Sequence, residues 1–201
     1  MEKPLKIKTS EIHKEILAMR EIEVKLRVKD LHVIAEKLAA CGCVLSAPIR
    51  QHDTIYTPAG STEEFSNAKE GDIIPRIRRG DGPTVEFNLK RQRSSEGDNI
   101  EYETEVKDAD AIHGILVALG YKPEVEVKKV RRKGKLGEYE ICLDDVEGLG
   151  TFVELEALVP DDADPNAVRE ELFKSLEPLG LSRTDEEVRG YDTLLFLKRR
   201  K

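Results

Sequence analysis

The sequence contains no tryptophan and only two methionines, and aromatic residues make up 5% of its 201 positions. Any core must therefore be built mainly from aliphatic side chains. Cysteine is scarce as well: Cys41 and Cys43 lie together in "CGCV" and Cys142 stands alone. An odd count with that spacing excludes a disulfide framework and a C-x-x-C metal pair, and predicts buried reduced thiols in a cytoplasmic protein. The four histidines (His13, His32, His52, His113) form no spaced cluster, and His32 and His113 read as helix-surface residues. No apolar run is long enough to span a membrane or resembles a signal-peptide core, so no membrane partner is expected. A positive excess is missing too. With 33 Lys and Arg against 40 Asp and Glu, the formal net charge is −7. That argues against a nucleic-acid partner, because phosphate contacts need a basic surface.

What the chain does have is charge in a regular pattern. In "REIEVKLRV", Ile22, Val24, Leu26 and Val28 alternate with Glu21, Glu23, Lys25 and Arg27. Strict alternation predicts a β-strand with one buried face. The pattern returns in "TVEFNLKRQ", where Glu86, Asn88 and Lys90 share a face, and in "IEYETEV", with Glu101, Glu103 and Glu105 together. It returns again in "EYEICLDDV", with Glu138, Glu140, Cys142 and Asp144, and in "TFVELEAL", with Glu154 and Glu156. "IPRIRRGDGP" places Arg76 and Arg78 on one side, ahead of a turn signal. Short strands separated by turns predict an antiparallel sheet or barrel.

Three helices interrupt the strands. "DLHVIAEKLAACG" opens on Asp30 as N-cap and closes on Gly42, and "DADAIHGILVALG" opens on Asp108 and closes on Gly120. "DPNAVREELFKSLEPLG" has Asp164 as cap and Pro165 in the first turn. The first two stand in matching frames. Val-Lys-Asp at 28–30 recurs at 106–108, and each copy follows an alternating charged strand. This predicts an internal repeat of two strand–helix–strands halves. Residues 1–18 are polar and read as an extension of unknown role, leaving 19–201 as a single domain. The terminal "KRRK" reads as a solvated tail.

Charged outward positions are ordinary on an antiparallel sheet with one wet face. The sorting of sign is less ordinary. Carboxylates pair on one face (Glu21 with Glu23, Glu154 with Glu156), and so do cations (Arg76 with Arg78, Lys129 with Arg131). Same-sign neighbours repel, so a surface selected for stability alone would mix them. Polyphosphate with a hard divalent metal needs both kinds of patch: oxygen ligands for the metal, Arg and Lys for the phosphates. An eight-stranded barrel has an interior wide enough for one small ligand. Its charged face would line the bore while amphipathic helices cover the apolar outside.

The ordered series "EIEVK", "RIRR", "FNLK", "EYE", "KVR" and "LDDVEGLGTFVELE" resembles the CYTH superfamily, or triphosphate tunnel metalloenzymes. The last block is most like the class IV adenylyl cyclase branch, with thiamine triphosphatase-like proteins in the same superfamily. The likeness covers the chain from about Arg20 onward. It implies an α+β fold: an eight-stranded antiparallel barrel, or tunnel, with a charged interior. It implies processing of ATP, thiamine triphosphate or inorganic triphosphate with Mg²⁺ or Mn²⁺. Carried over by position, Glu21, Glu23, Glu154 and Glu156 are the expected metal ligands, with Glu103 and Asp144 as helpers. Lys25, Arg76, Arg78, Lys90, Lys129 and Arg131 would grip the phosphates, and Lys25 would also serve catalysis. The expected activity is conversion of ATP to cyclic AMP and pyrophosphate. The alternatives are a triphosphatase and a non-catalytic nucleotide- or polyphosphate-binding module, and a homodimer is left open.

Three features sit outside that pattern. Pro75 stands before Arg76, where the family has an apolar residue. The loop "TPAGSTEEFSNAKEGDII" is long and acidic. Val125 and Val127 share parity with Lys129 and Arg131, so a continuous charged face there requires a later strand start or a bulge.

Overall fold

The computed structural model describes residues 19–60 and 69–200. Eight strands close into an antiparallel barrel: β1 (Met19–Val28), β2 (Ile49–Pro58), β3 (Ile73–Gly80), β4 (Val85–Ser95), β5 (Asp98–Val106), β6 (Tyr121–Leu136), β7 (Tyr139–Val146) and β8 (Gly150–Pro160). Around the barrel they run β1-β5-β4-β3-β2-β6-β7-β8. Among the described residues four α-helices accompany them: α1 (Leu31–Ala40), α2 (Ala109–Ala118), α3 (Pro165–Leu176) and α4 (Tyr191–Arg199).

The first three helices start where the sequence places them. Asp30 accepts hydrogen bonds from the backbone N–H of His32 and Val33, Asp108 from those of Asp110 and Ala111, and Asp164 from that of Asn166. Each cap satisfies donors that a helix leaves open in its first turn. Gly42 and Gly120 follow the first two helices with φ of 80° and 87°, a backbone region where a side chain would be strained. α4 is the helix the sequence reading lacked. Lys198 and Arg199 belong to its last turn, and Lys198 donates to the Gly148 carbonyl at 2.5 Å. Those two residues of "KRRK" are therefore helical, and both are exposed, so the stretch is solvated as expected but not an unstructured tail.

The repeat is present as β1-α1-β2-β3-β4 and β5-α2-β6-β7-β8. The frame that superposes the two Val-Lys-Asp sequences also superposes Glu21 on Asn99 and Gln51 on Lys129. These are register partners across β1–β5 and across β2–β6. The halves are thus related by a pseudo-two-fold axis that passes through both of their junctions.

Apolar side chains lie outside the barrel wall and at one end of its bore. Ile22, Val24 and Leu26 of β1 pack with Ile141, Val153 and Leu155 under Ile34 and Leu38 of α1 and Leu172 and Leu176 of α3. Tyr56, Ile77 and Leu116 form a smaller cluster beneath α2. A third cluster joins Ile55, Val125, Val127, Val146 and Phe152 to Tyr191 and Leu194 of α4. It resolves the parity problem in β6 differently from expectation. β6 runs unbroken through Val125 to Arg131. Its register shift against β2 lies before Val125, where Ile55 pairs with Val125 but Tyr56 with Pro123. The two valines do face inward, because that end of the bore is apolar and closed.

Pro75 lies one residue beyond the last β2–β3 pair, Ile55 with Arg76, so its missing N–H interrupts no rung of that ladder. Cys43 and Cys142 are buried as expected, but Cys41 is exposed at the end of α1. Residues 1–18 and the middle of the acidic loop, 61–68, lie outside the described residues.

Candidate active site

The inward faces of the strands enclose a cavity of about 420 Å³. Along β1 it is lined in order by Glu21, Glu23 and Lys25, and along β8 by Leu158, Glu156 and Glu154, while Ile22, Val24, Val153 and Leu155 face out. Leu158, 68% exposed, and the exposed Lys135 and Glu138 mark the open mouth. The opposite end is sealed by the C-terminal segment. Its backbone bridges Leu26 through Glu186, and the Glu187 N–H donates to the Lys25 carbonyl at 2.8 Å. Arg27 and Arg189 both donate to the Glu187 carboxylate. Glu96, in the β4–β5 turn, accepts from the Gly190 backbone N–H and from the Thr193 hydroxyl at 3.1 Å, fixing the start of α4.

Tyr191 is the floor. Its ring meets Phe152 edge-on at 5.0 Å, and its hydroxyl donates to Asp144 at 3.0 Å. The ammonium groups of Lys25 and Lys129 lie 4.6 and 5.1 Å from its centroid. A π face holds an ammonium without neutralising it.

Ligand atoms of Glu21, Glu23 and Glu156 lie within 4.8 Å of one another. Burial, reinforced by the Glu156 carboxylate, pushes Glu21 up to about 9. Burial also pushes Glu156 up to about 7, against the pull of Arg131 and with help from Glu154 and Glu23. Three converging carboxylates, with Glu21 and Glu156 both pushed up, are a donor set that a divalent cation would relieve. Their all-oxygen chemistry fits a hard ion such as Mg²⁺ or Mn²⁺. Glu154 stands apart from this group. It faces Lys25 at 3.3 Å and accepts from Arg131, and despite full burial Arg131, Lys25 and Lys129 hold its carboxyl well below the usual range.

Each expected phosphate-binding cation lines the same cavity. Arg131 is bidentate to Asp144, at 2.7 and 2.5 Å, and Lys129 lies 3.4 Å from the same carboxylate. Burial and the neighbouring Arg131 push Lys129 down to about 8, while Glu23 and Glu154 raise Lys25 against its own desolvation. Arg78 is bidentate to Asp53, at 2.7 and 2.8 Å. Arg76 has looser charge contacts, 3.7 Å to Asp53 and 3.8 Å to Glu86 and Glu103, and Lys90 pairs with Glu101. Glu103, on β5, also accepts from Asn88 at 2.7 Å and is not among the carboxylates that converge with Glu156.

Sequence reasoning missed Asp53, Glu101 and Tyr191. Asp53 sits in "RQHDTIYTP", where neither parity is cleanly apolar, so the strand itself was not recognised. Glu101 was seen only as part of an acidic face. Tyr191 carried a faint signal: it opens the amphipathic "YDTLLF", which the basic tail obscured.

The comparisons with known proteins agree with this geometry. The family model for the CYTH domain matches residues 19–191. The chain belongs to the CYTH family. A putative adenylate cyclase of Methanocaldococcus jannaschii is 30% identical over 166 residues, covering 82% of this chain and 92% of that protein. Adenylate cyclase CyaB of Aeromonas hydrophila is 30% identical over 175 residues, covering 87% of each. Among solved structures, the PH1819 protein of Pyrococcus horikoshii OT3 superposes with a TM-score of 0.74 at 31% identity, covering 89% of this chain and 99% of that one. CYTH membership and the closed barrel thus rest on sequence and structure alike.

Proposed function

We propose that this CYTH protein is a metal-dependent adenylyl cyclase that takes ATP phosphates-first into the bore and forms cyclic AMP and pyrophosphate. The observation that carries the reading is the order of groups along the strands. Lys25 and Lys129 lie deepest, on Tyr191. Glu23 and Glu21 follow two and four residues nearer the mouth on β1, and Glu156 two residues nearer than Glu154 on β8. At about 3.3 Å per residue, Lys25 and Glu21 are roughly 13 Å apart along the strand. The deepest cations therefore suit the end of the phosphate chain, and the carboxylate cluster suits the phosphates next to the nucleoside.

Glu21, Glu23 and Glu156 would hold the divalent cation, which when bound neutralises phosphate oxygens and polarises the reacting phosphorus. Arg131, Arg78 and Arg76 grip the chain from the side and hold it in line, and Lys90 does so from the Glu21 side. Lys25 and Lys129 retain the pyrophosphate as negative charge develops on it. The ribose 3′-hydroxyl, nearest the mouth, attacks the α-phosphorus. Hydrolysis would instead require water at the terminal phosphorus, in the most enclosed layer of the cavity. The names of the 30%-identical relatives point the same way.

The test is product analysis by phosphorus NMR after incubation with ATP, thiamine triphosphate and inorganic triphosphate, each with Mg²⁺ and with Mn²⁺. Cyclic AMP with pyrophosphate is expected from ATP. Orthophosphate as the main product from any of the three would make the protein a hydrolase and overturn the reading.

A further inference from the structure

We infer that Tyr191 is a specificity-determining floor that reads the free end of the phosphate chain, restricting ligands to triphosphates with one unesterified terminal phosphoryl group. The inference rests on the phosphates-first orientation proposed above and adds a requirement at the end remote from the nucleoside.

The bore is closed there by side chains that cannot easily withdraw. Tyr191 is buried, braced by Phe152 at 5.0 Å, and backed by Leu194 and by Val125, Val127 and Val146 of the barrel wall. The helix carrying it is pinned by Glu96 at its first turn and by Lys198 on the Gly148 carbonyl at its last. A packed cluster of this kind yields only at the cost of strained rotamers.

The floor is also chemically suited to a terminal phosphoryl group. Both ammonium groups above it rest on the ring face, and Lys25 also contacts Glu23 at 3.1 Å and Glu154 at 3.3 Å. An unesterified phosphoryl end presents three oxygens, enough to accept from both lysines. An esterified end replaces one oxygen's charge with a carbon substituent aimed at the ring. Substituent and floor cannot share the space, and one charge-assisted contact is lost as well.

The experiment is competition binding with Mg²⁺ present, using inorganic triphosphate, ATP and the γ-phenyl ester of ATP, both nucleotides in their 3′-deoxy form so that neither can cyclise, on the wild-type chain and on Tyr191→Phe and Tyr191→Leu. Wild type and Tyr191→Phe should bind the ester about 100-fold or more weakly than ATP, since both keep the ring. Tyr191→Leu opens the floor and should narrow that ratio to about tenfold or less, the charge lost on esterification being the same in every variant. An ester that binds wild type within about threefold of ATP overturns the proposal. So does a folded Tyr191→Leu with the wild-type ratio. Should Tyr191→Leu fail to fold, the wild-type and Tyr191→Phe ratios decide alone. Binding is read without turnover, so the assignment of the reaction and that of the floor can fail separately. Wild-type discrimination without cyclic AMP keeps the floor and discards the cyclase, and cyclic AMP formation with an ester that binds like ATP does the reverse.

Discussion

Glu21, half-buried, and Glu154, buried, are carboxylates in one bore, yet folding treats them oppositely. Glu154 is compensated by Lys25 and Arg131 and stays ionised; Glu21 is under-compensated and is pushed up to about 9. A carboxyl group whose folded pKa lies above its unfolded value binds a proton on folding, so its contribution to stability falls as pH rises from the unfolded value, about 4.5, towards 9. Glu21→Gln should therefore raise the metal-free melting temperature at pH 8 by several degrees, with the gain vanishing near pH 4, while abolishing metal-dependent turnover. Thermal scans across pH, paired with activity assays, check both halves. A lower melting temperature at pH 8 would contradict the assignment. Glu154→Gln should behave in the opposite sense. It leaves the buried Lys25 with Glu23 and Arg131 with Asp144 as their remaining counter-charges, and should cost about 1.5–3 kcal/mol by denaturant titration at neutral pH. Metal affinity should climb with pH as Glu156 and then Glu21 release protons, by at most about tenfold per pH unit for each proton displaced. Mn²⁺ titrations between pH 6 and 9 measure it.

Among the elements, the junction between β1 and β5 is thinly paired. Among the described residues only Glu21 with Asn99 and Ile22 with Asp98 are in register, and the contact continues through the turn, where the Glu23 N–H donates to the Gly97 carbonyl at 2.8 Å. A Cβ on Gly97 would stand 2.9 Å from the Glu23 carbonyl oxygen, so this turn packs on the carboxylate-bearing strand as closely as backbone allows. Gly97→Ala should push β1 outward, lowering stability by about 1–3 kcal/mol and weakening Mn²⁺ binding. Denaturation and metal titration together check it; unchanged metal affinity would show that the turn does not position Glu23. The same turn carries Glu96, which anchors α4, so one short connection ties the carboxylate side of the site to its floor.

At the scale of the whole molecule, the barrel is inverted relative to most small β-domains: aliphatic side chains cover its outside under α1, α2 and α3, and ionisable groups fill its inside. Compact stability must come from the outer clusters, because close charges in the bore are only partly balanced. Any ligand completing that balance binds the native state alone and stabilises it. Divalent metal with triphosphate at about 100 times its Kd should add about 2.7 kcal/mol, a rise of roughly 5–10 °C in Tm, and metal alone should add less. Differential scanning fluorimetry tests this, and no shift at saturation would mean that the bore is a structural feature only.

What the sequence determined by itself is what local rules can carry. Period-two alternation put Glu21, Glu23 and Lys25 on one face of β1 and Glu154 and Glu156 on one face of β8, whatever those strands paired with. Asp30, Asp108 and Asp164 started their helices through hydrogen bonds spanning two or three residues, and the repeated Val-Lys-Asp announced two halves. β2 was not legible, because "RQHDTIYTP" mixes polar and apolar residues on both faces. Only the tertiary structure decided which charges meet. Register brought Glu156 to Glu21 and Glu23 but left Glu154 between Lys25 and Arg131, although the two are neighbours on one face of β8. The β2–β3 register paired Arg78 with Asp53, and the return of α4 set Tyr191 beneath Lys25 and Lys129. A face follows from the alternation of the backbone; a partner across the bore follows from strand order, stagger and what caps the end, none of which is encoded within a single strand.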